Sequence, residues 1–217
     1  FGMRISGSMV SFWEIIKAPP FRGAFLFKSV LQLPFFVIFL ILKEFINKNG
    51  MLITKPKKGE LLIAEPTLTG DVSFSRSIVL LAEHNDEGSV GFILNKPLDY
   101  NISELISEIN VPFPVYNGGP VEQDNLYFLH KVPHLIENSI EISNGIFWGG
   151  DFDNIIDLVN KKMITSSDIR FFLGYSGWAS LQLDQELSSK SWVIVRNEYK
   201  SDILKKSADA FWREKMM

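Results

Sequence analysis

SIVLLAEHNDEGSVGFIL, residues 77–94, decides the fold class. Ser77–Ala82 (SIVLLA) is continuously apolar with β-branched members, the pattern of a strand buried on both faces. His84–Gly88 (HNDEG) follows, and its Asn85, Asp86 and Gly88 are turn formers. Short amide and carboxylate side chains bond back to nearby backbone, and glycine accepts any φ. Ser89–Leu94 (SVGFIL) then returns as a second strand, so the stretch is a β-hairpin and the sheet begins antiparallel.

Outward from the hairpin, strands and helices alternate irregularly. Glu60–Glu65 (ELLIAE), closed by Pro66, reads as a strand. Asn101–Ile109 reads as a helix with Ile102, Leu105 and Ile109 on its inner face, capped by Asn101 or Ser103 and ended by Pro112 and Pro114. Val115–Tyr116 and Leu126–His130 are strands, with Gly118-Gly119-Pro120 a tight turn between them. Ile140–Trp148 is extended around a turn at Asn144-Gly145. Asp151 caps a helix running to Lys162. Arg170–Leu173 is a strand, Leu181–Leu187 a short helix, Trp192–Val195 a strand, and Asp202–Lys215 an amphipathic helix with Leu204, Ala208, Phe211 and Trp212 inward. Hairpins mixed with helices exclude a pure βαβ repeat and give an α+β class.

Charge divides the chain near Gly50 and Met51. Residues 1–50 hold six Lys/Arg and two Glu, while residues 51–217 hold sixteen Lys/Arg and twenty-three Asp/Glu, a net −7. Nine of the eighteen phenylalanines fall in the first fifty residues. The uncharged run Ser29–Leu42 is shorter than the roughly 20 apolar residues a spanning helix needs. Residues 1–50 therefore read in three ways: a membrane anchor through residues 25–42, a core-packing helix, or an upstream extension foreign to the natural protein. The last is favoured, because Met51 opens the polar lead-in Thr54–Gly59. Residues 51–217 form the main domain and are expected to fold alone.

The chain has no cysteine, which excludes disulfides, thiolate metal sites and cysteine nucleophiles. His130 and His134 have helical metal spacing, but Pro133 between them denies a shared helix face, so no metal site is expected. Gly149-Gly150-Asp151 opens a helix whose Asp151 and Asp153 repel an anion. Nucleotide fingerprints are absent and no cofactor is expected. Gly174-Tyr175-Ser176-Gly177-Trp178 approximates the nucleophile elbow G-x-S-x-G, but Trp178 replaces the last glycine. A glycine-rich turn anchored by a structural Trp178 is the reading preferred. Asp184 and Glu186 point apart on their helix and read as solvated carboxylates. Arg76 and Arg170 border buried strands, where each must find a carboxylate or a ligand.

Several segments resemble one family. GELLIAEP (59–66), FSRS (74–77) leading into Ile78–Leu81, GSVGFILNKP (88–97), NGGPV (117–121), Leu129-His130, Gly149-Gly150, RFFLGYSGWASLQLDQE (170–186) and Trp192 are similar, in order, to the AlgH/YqgE family of bacterial proteins. The resemblance runs from about Lys57 to about Val195 and leaves residues 1–50 uncovered. It implies a bent, mostly antiparallel sheet forming a pseudo-barrel with flanking helices, in a cytoplasmic protein. It implies no established enzyme activity, and a proposed role in transcriptional regulation. This chain departs from the family's usual Ala at Ser176, Gly at Leu181 and Glu at Asp184.

Two function classes follow. The first is a non-enzymatic binding or regulatory protein using Arg76, Asn95, Lys96, Asn117, Gly118, Gly119, Tyr175, Gly177, Trp178 and Gln182, polar or glycine-rich positions beside buried strands. Its partner is a small molecule or a protein, with direct nucleic-acid binding disfavoured by the −7 domain and a membrane partner conditional on residues 1–50. The second is a hydrolase-type enzyme with a site around Gly174–Trp178. The turns at Gly118–Pro120 and Gly174–Trp178 are expected to meet and frame the functional surface.

Overall fold

The computed structural model of the protein describes residues 55–65 and 73–206. All of these lie in the unit Ile53–Met217. Expectations for residues 1–50, and for Ala208, Phe211 and Trp212, fall outside the described residues.

The hairpin forms as read. Strand β2 (Ile78–Asn85) turns through Asp86 and Glu87 into β3 (Gly88–Ile93), with Leu80 opposite Phe92. The Asn85 side chain closes the turn by accepting from the backbone amides of Glu87 and Gly88 at 2.8 and 3.2 Å. Both faces of β2 are covered: Ile78, Leu80 and Ala82 enter one apolar cluster, and Val79 and Leu81 another. Burial on both faces explains why the run shows no alternation.

Eight further strands extend this hairpin: β1 (Leu61–Ala64), β4 (Pro97–Asn101), β5 (Pro114–Asn117), β6 (Val121–His130), β7 (Ile140–Ser143), β8 (Ile146–Trp148), β9 (Ile169–Ala179) and β10 (Trp192–Val195). The order is β10-β1-β2-β3-β9-β6-β8-β7, with β4 on β5 and β5 on β9. Every pairing is antiparallel except β5 with β9. The class is α+β, and the sheet curls without closing into a barrel.

The helices are short. The first, α1 (Ile102–Leu105), is capped by Asn101 and Glu104 in a capping box. Helix α2 (Phe152–Asn160) starts at Asp151, whose side chain accepts from the amide of Asp153. Helix α3 (Gln182–Ser188) follows β9, and a 3-10 helix spans Lys200–Lys205. The expected helix over Asn101–Ile109 thus covers only its first turn, because Ile106 returns to extended backbone. Leu105 is 44% exposed rather than inward. Strand β4 was not anticipated, since Pro97 and Asp99 break an apolar run; it pairs only with β5 and lies off the main strand path.

The largest correction concerns β9. It runs six residues beyond the expected end at Leu173, and the supposed turn Gly174–Trp178 lies in the second half of an eleven-residue strand. Strands β5 and β3 share one side of β9, at Phe171–Leu173 and Ser176–Ala179, and β6 takes the other. The chain must therefore pass from β5 to β6 across β9. It does so at Gly118-Gly119-Pro120. A Cβ at Gly118 would strike the carbonyl oxygen of Gly174, and one at Gly119 the backbone of Tyr175. Gly118, Gly119 and Gly174 serve this crossing.

Among the described residues, no helix is long and apolar enough to cross a membrane.

Candidate functional site

The crossing brings together part of the expected site. The amide of Gly118 donates to the carbonyl of Leu173 (2.8 Å), and the carbonyl of Gly118 accepts from the Ile93 amide and the Ser176 hydroxyl, both at 3.0 Å. Asn117 accepts from the Gly119 amide through its side chain and donates its own amide to the carbonyl of Lys96. Gly118 and Gly119 thus meet Gly174, Tyr175 and Ser176, so the two glycine-bearing segments come together as the sequence led one to expect. The contact is a closed, hydrogen-bonded corner, and not a groove between two turns. Ser176 is fully buried and committed to Gly118, which rules it out as a nucleophile.

A second bracket holds Arg76, Asn95 and Lys96. The Asn95 side chain accepts from the Ile78 amide and donates to the carbonyl of Arg76, both at 2.8 Å, spanning a residue held at φ 56°. The Lys96 ammonium donates to the carbonyl of Ser73. These side chains fix the loop before β2. The loop in turn presents Phe74, whose ring lies 6.0 Å from that of Trp178 and 5.3 Å from that of Trp192.

Trp178 is 5% exposed, and its indole donates to Glu186 at 2.9 Å. Trp192 donates to the same Glu186 oxygen at 2.7 Å, while Gln182 donates to the other at 3.0 Å. Glu186 is therefore a half-buried acceptor for three donors rather than a freely solvated carboxylate. Its sequence signal was the placement of one helical acid between two tryptophans, each carrying a donor that must be satisfied when buried. Gln182 also accepts from the Ala179 amide at 3.0 Å, so it closes the β9–α3 junction.

Tyr175, Gly177 and Trp178 reach a groove of about 350 Å³ between the β2–β3 hairpin and β9. Its other walls include Glu83, Glu87, Ser89 and Val121, none of which the sequence pointed to. Tyr175 is held by an edge contact with Tyr127, their rings 5.6 Å apart. The Tyr127 hydroxyl donates to Glu122; this bond, followed by one from Asn125, holds the Glu122 carboxyl below its ordinary pKa. Burial, then Glu122, pushes the Tyr127 phenol up. At the groove's side His84 Nδ1 and Ser89 Oγ lie 2.8 Å apart.

Among the described residues, no three His, Asp or Glu gather to hold a metal ion. His130 is fully buried, with Nε2 3.1 Å from the carbonyl of Gly149 and Nδ1 accepting from the Val132 amide at 3.3 Å. Those partners require the neutral Nε2–H tautomer, and burial lowers its pKa to about 4. His134 is exposed. Among the described residues Arg170 meets no carboxylate: it is buried, donates to the carbonyls of Leu94, Leu204 and Lys206 and stacks 4.4 Å from the Tyr116 ring centre.

This arrangement has relatives. A protein of Chlorobium limicola called a UPF0301 protein is 43% identical over 142 residues, 65% of this chain and 75% of its own. A UPF0301 protein of Bacteroides fragilis is 40% identical over 161 residues, 73% of this chain and 81% of its own. The solution structure of the AlgH protein from Pseudomonas aeruginosa superposes with a TM-score of 0.59 at 25% identity, covering 76% of this chain and 90% of that one. A crystal structure from Corynebacterium diphtheriae shares the fold with a TM-score of 0.62 at 23% identity, covering 77% and 90%. The sequence model of the AlgH-like proteins matches residues 61–217, which takes in every strand from β1 to β10, the crossing and the Glu186 cluster, and so the chain belongs to the AlgH-like family.

Proposed function

We propose that this chain is a non-enzymatic binding protein that acts as a regulator through the groove between the β2–β3 hairpin and β9. The groove's lining carries the reading. Gly177 carries no side chain over the β9 backbone, Tyr175 offers aromatic surface above the buried Trp178, and Glu83 and Glu87 add two carboxylates. That combination suits a small ligand with an apolar body and a cationic group. Regulation then works through ligand or protein contact rather than direct DNA contact, since residues 51–217 carry net −7. The proposal is for a cytoplasmic protein.

One observation favours a hydrolase as the second reading. Ser89 and His84 form a pair of nucleophile–base type at 2.8 Å. Binding ranks above it because Ser89 is 5% exposed and the contacts of His84 among the described residues include no orienting carboxylate.

Thermal-shift screening with cationic, neutral and anionic metabolites tests the proposal. Saturable stabilisation by an amine-bearing compound is expected, weakened at least tenfold by Tyr175→Ala and by the pair Glu83→Gln and Glu87→Gln. Stabilisation restricted to other classes, or indifferent to these changes, overturns it. Labelling of Ser89 by a fluorophosphonate probe, abolished in Ser89→Ala, would establish the hydrolase instead.

A further inference from the structure

Asparagine stands directly before glycine three times in the sequence. This pairing has a chemistry of its own. Glycine carries no side chain to obstruct its backbone nitrogen from approaching the side-chain carbonyl carbon of the asparagine, and the two can close a five-membered succinimide ring. Asn49-Gly50 lies outside the described residues. The other two steps meet opposite surroundings.

At Asn117-Gly118 the fold closes that route. The Gly118 amide donates to the Leu173 carbonyl at 2.8 Å, and the Asn117 side-chain oxygen accepts from the Gly119 amide at 2.9 Å. Gly118 is buried and Asn117 half-buried. A strand carbonyl holds the amide hydrogen in place but is no base to remove it.

Asn144-Gly145 is open. These two residues are the whole link between β7 and β8, both at positive φ (53° and 79°), the two-residue hairpin turn that favours this pair. Asn144 is exposed, so its side chain can turn towards the Gly145 nitrogen without displacing packed atoms. Its amide donates to the Ser143 hydroxyl at 2.8 Å, which keeps it beside the turn. The Gly145 amide donates to the Glu141 carboxylate at 3.3 Å, and a carboxylate within hydrogen-bond reach of the proton to be removed is a general base.

We infer that Asn144 is a self-modification site, which deamidates through a succinimide with Glu141 as the base. The Gly145 nitrogen bonds to Asn144 Cγ as its proton passes to Glu141. The bond from Cγ to the side-chain nitrogen breaks, and that nitrogen takes up the proton and leaves as ammonia. Water then opens the ring. Addition at the side-chain carbonyl gives aspartate, and addition at the main-chain carbonyl gives isoaspartate, whose backbone is one carbon longer. Either product sets a new carboxylate beside Glu141. The turn also lies against the 3-10 helix, since a Cβ on Gly145 would sit 3.8 Å from Ser201, so the modification bears on the packing of the β7–β8 hairpin there.

The test is timed incubation of the full-length chain at neutral pH, read by tandem mass spectrometry and by labelling with an isoaspartate-specific carboxyl methyltransferase. Asn144 should convert from amide to acid at least about tenfold faster than Asn117, with the methyl label on the same peptide. Glu141→Gln changes an exposed side chain and should slow Asn144 about tenfold while leaving the melting temperature near that of the parent. Conversion of Asn144 no faster than that of Asn117 overturns the inference, as does an equal rate in Glu141→Gln.

Discussion

Three single residues carry distinct costs. Trp178 is packed among Phe74, Trp192 and α3 with its donor satisfied, so Trp178→Ala removes both a large apolar volume and an internal hydrogen bond. Truncation should cost about 3–5 kcal/mol in urea unfolding. Leu181 works in the opposite sense. It stands at φ 62°, the left-handed region, and is 67% exposed. The resemblance to the family favours glycine there, and the backbone now supplies the reason. Relief of about 1–2 kcal/mol of left-handed strain exceeds the roughly 0.5–1 kcal/mol of extra glycine entropy, so Leu181→Gly should raise the melting temperature. His130 makes stability depend on pH. Its folded pKa of about 4 lies below the ordinary 6.5, so the unfolded chain takes up this proton first as pH falls. Its contribution is complete above about pH 6.5 and is lost as pH drops towards 4, on the order of 3 kcal/mol in all. Denaturation across that window should show the loss in the parent and a smaller one in His130→Gln.

At the scale of elements, legibility followed the locality of the cause. The β2–β3 hairpin was plain because Asn85, Asp86 and Gly88 set the turn within their own segment, and α2 because Asp151 caps it from the adjacent position. Strand β9 was half-read. Gly174 and Gly177 look like turn residues along the chain, yet Gly174 is small because Gly119 and Val121 cross it: an added Cβ would lie 2.7 Å from both carbonyl oxygens. That cause sits more than fifty residues away and leaves no periodic trace. Of the candidate site, the meeting of Gly118–Gly119 with Gly174–Ser176 was legible from glycine placement, whereas the roles of Glu83, Glu87 and Glu186 were not. Exposed-looking acids in hairpins and helices are ordinarily solvated. The crossing makes a sharp prediction: Gly118→Ala should destabilise the fold by several kcal/mol in urea denaturation, because the obstacle is backbone on another strand and cannot rotate away. A variant as stable as the parent would mean that β9 and the crossing loop can separate.

At the scale of the whole molecule, the charge boundary near Met51 and the start of the family match at residue 61 lie close together. Strands β1 to β10 form one sheet, and the described residues alone supply apolar clusters on it. A fragment of residues 51–217 should therefore be soluble and melt in a single cooperative transition by circular dichroism. A fragment that needs residues 1–50 in order to melt cooperatively would show that the first segment completes the domain.

The position of β9 also bears on the order of events during synthesis. Strands β3, β5 and β6 are made first, and each leaves an edge that only residues 169–179 can fill. While the ribosome is still translating this region, the nascent chain holds three unsatisfied strand edges, and the link from β5 to β6 must stand open until the later strand arrives beneath it. Such long-range closure slows folding, because the entropy of the intervening loop is lost before any pairing is gained. A chain stalled or cleaved before β9 would accordingly be a substrate for chaperones and for edge-to-edge aggregation, rather than a smaller stable version of the same protein.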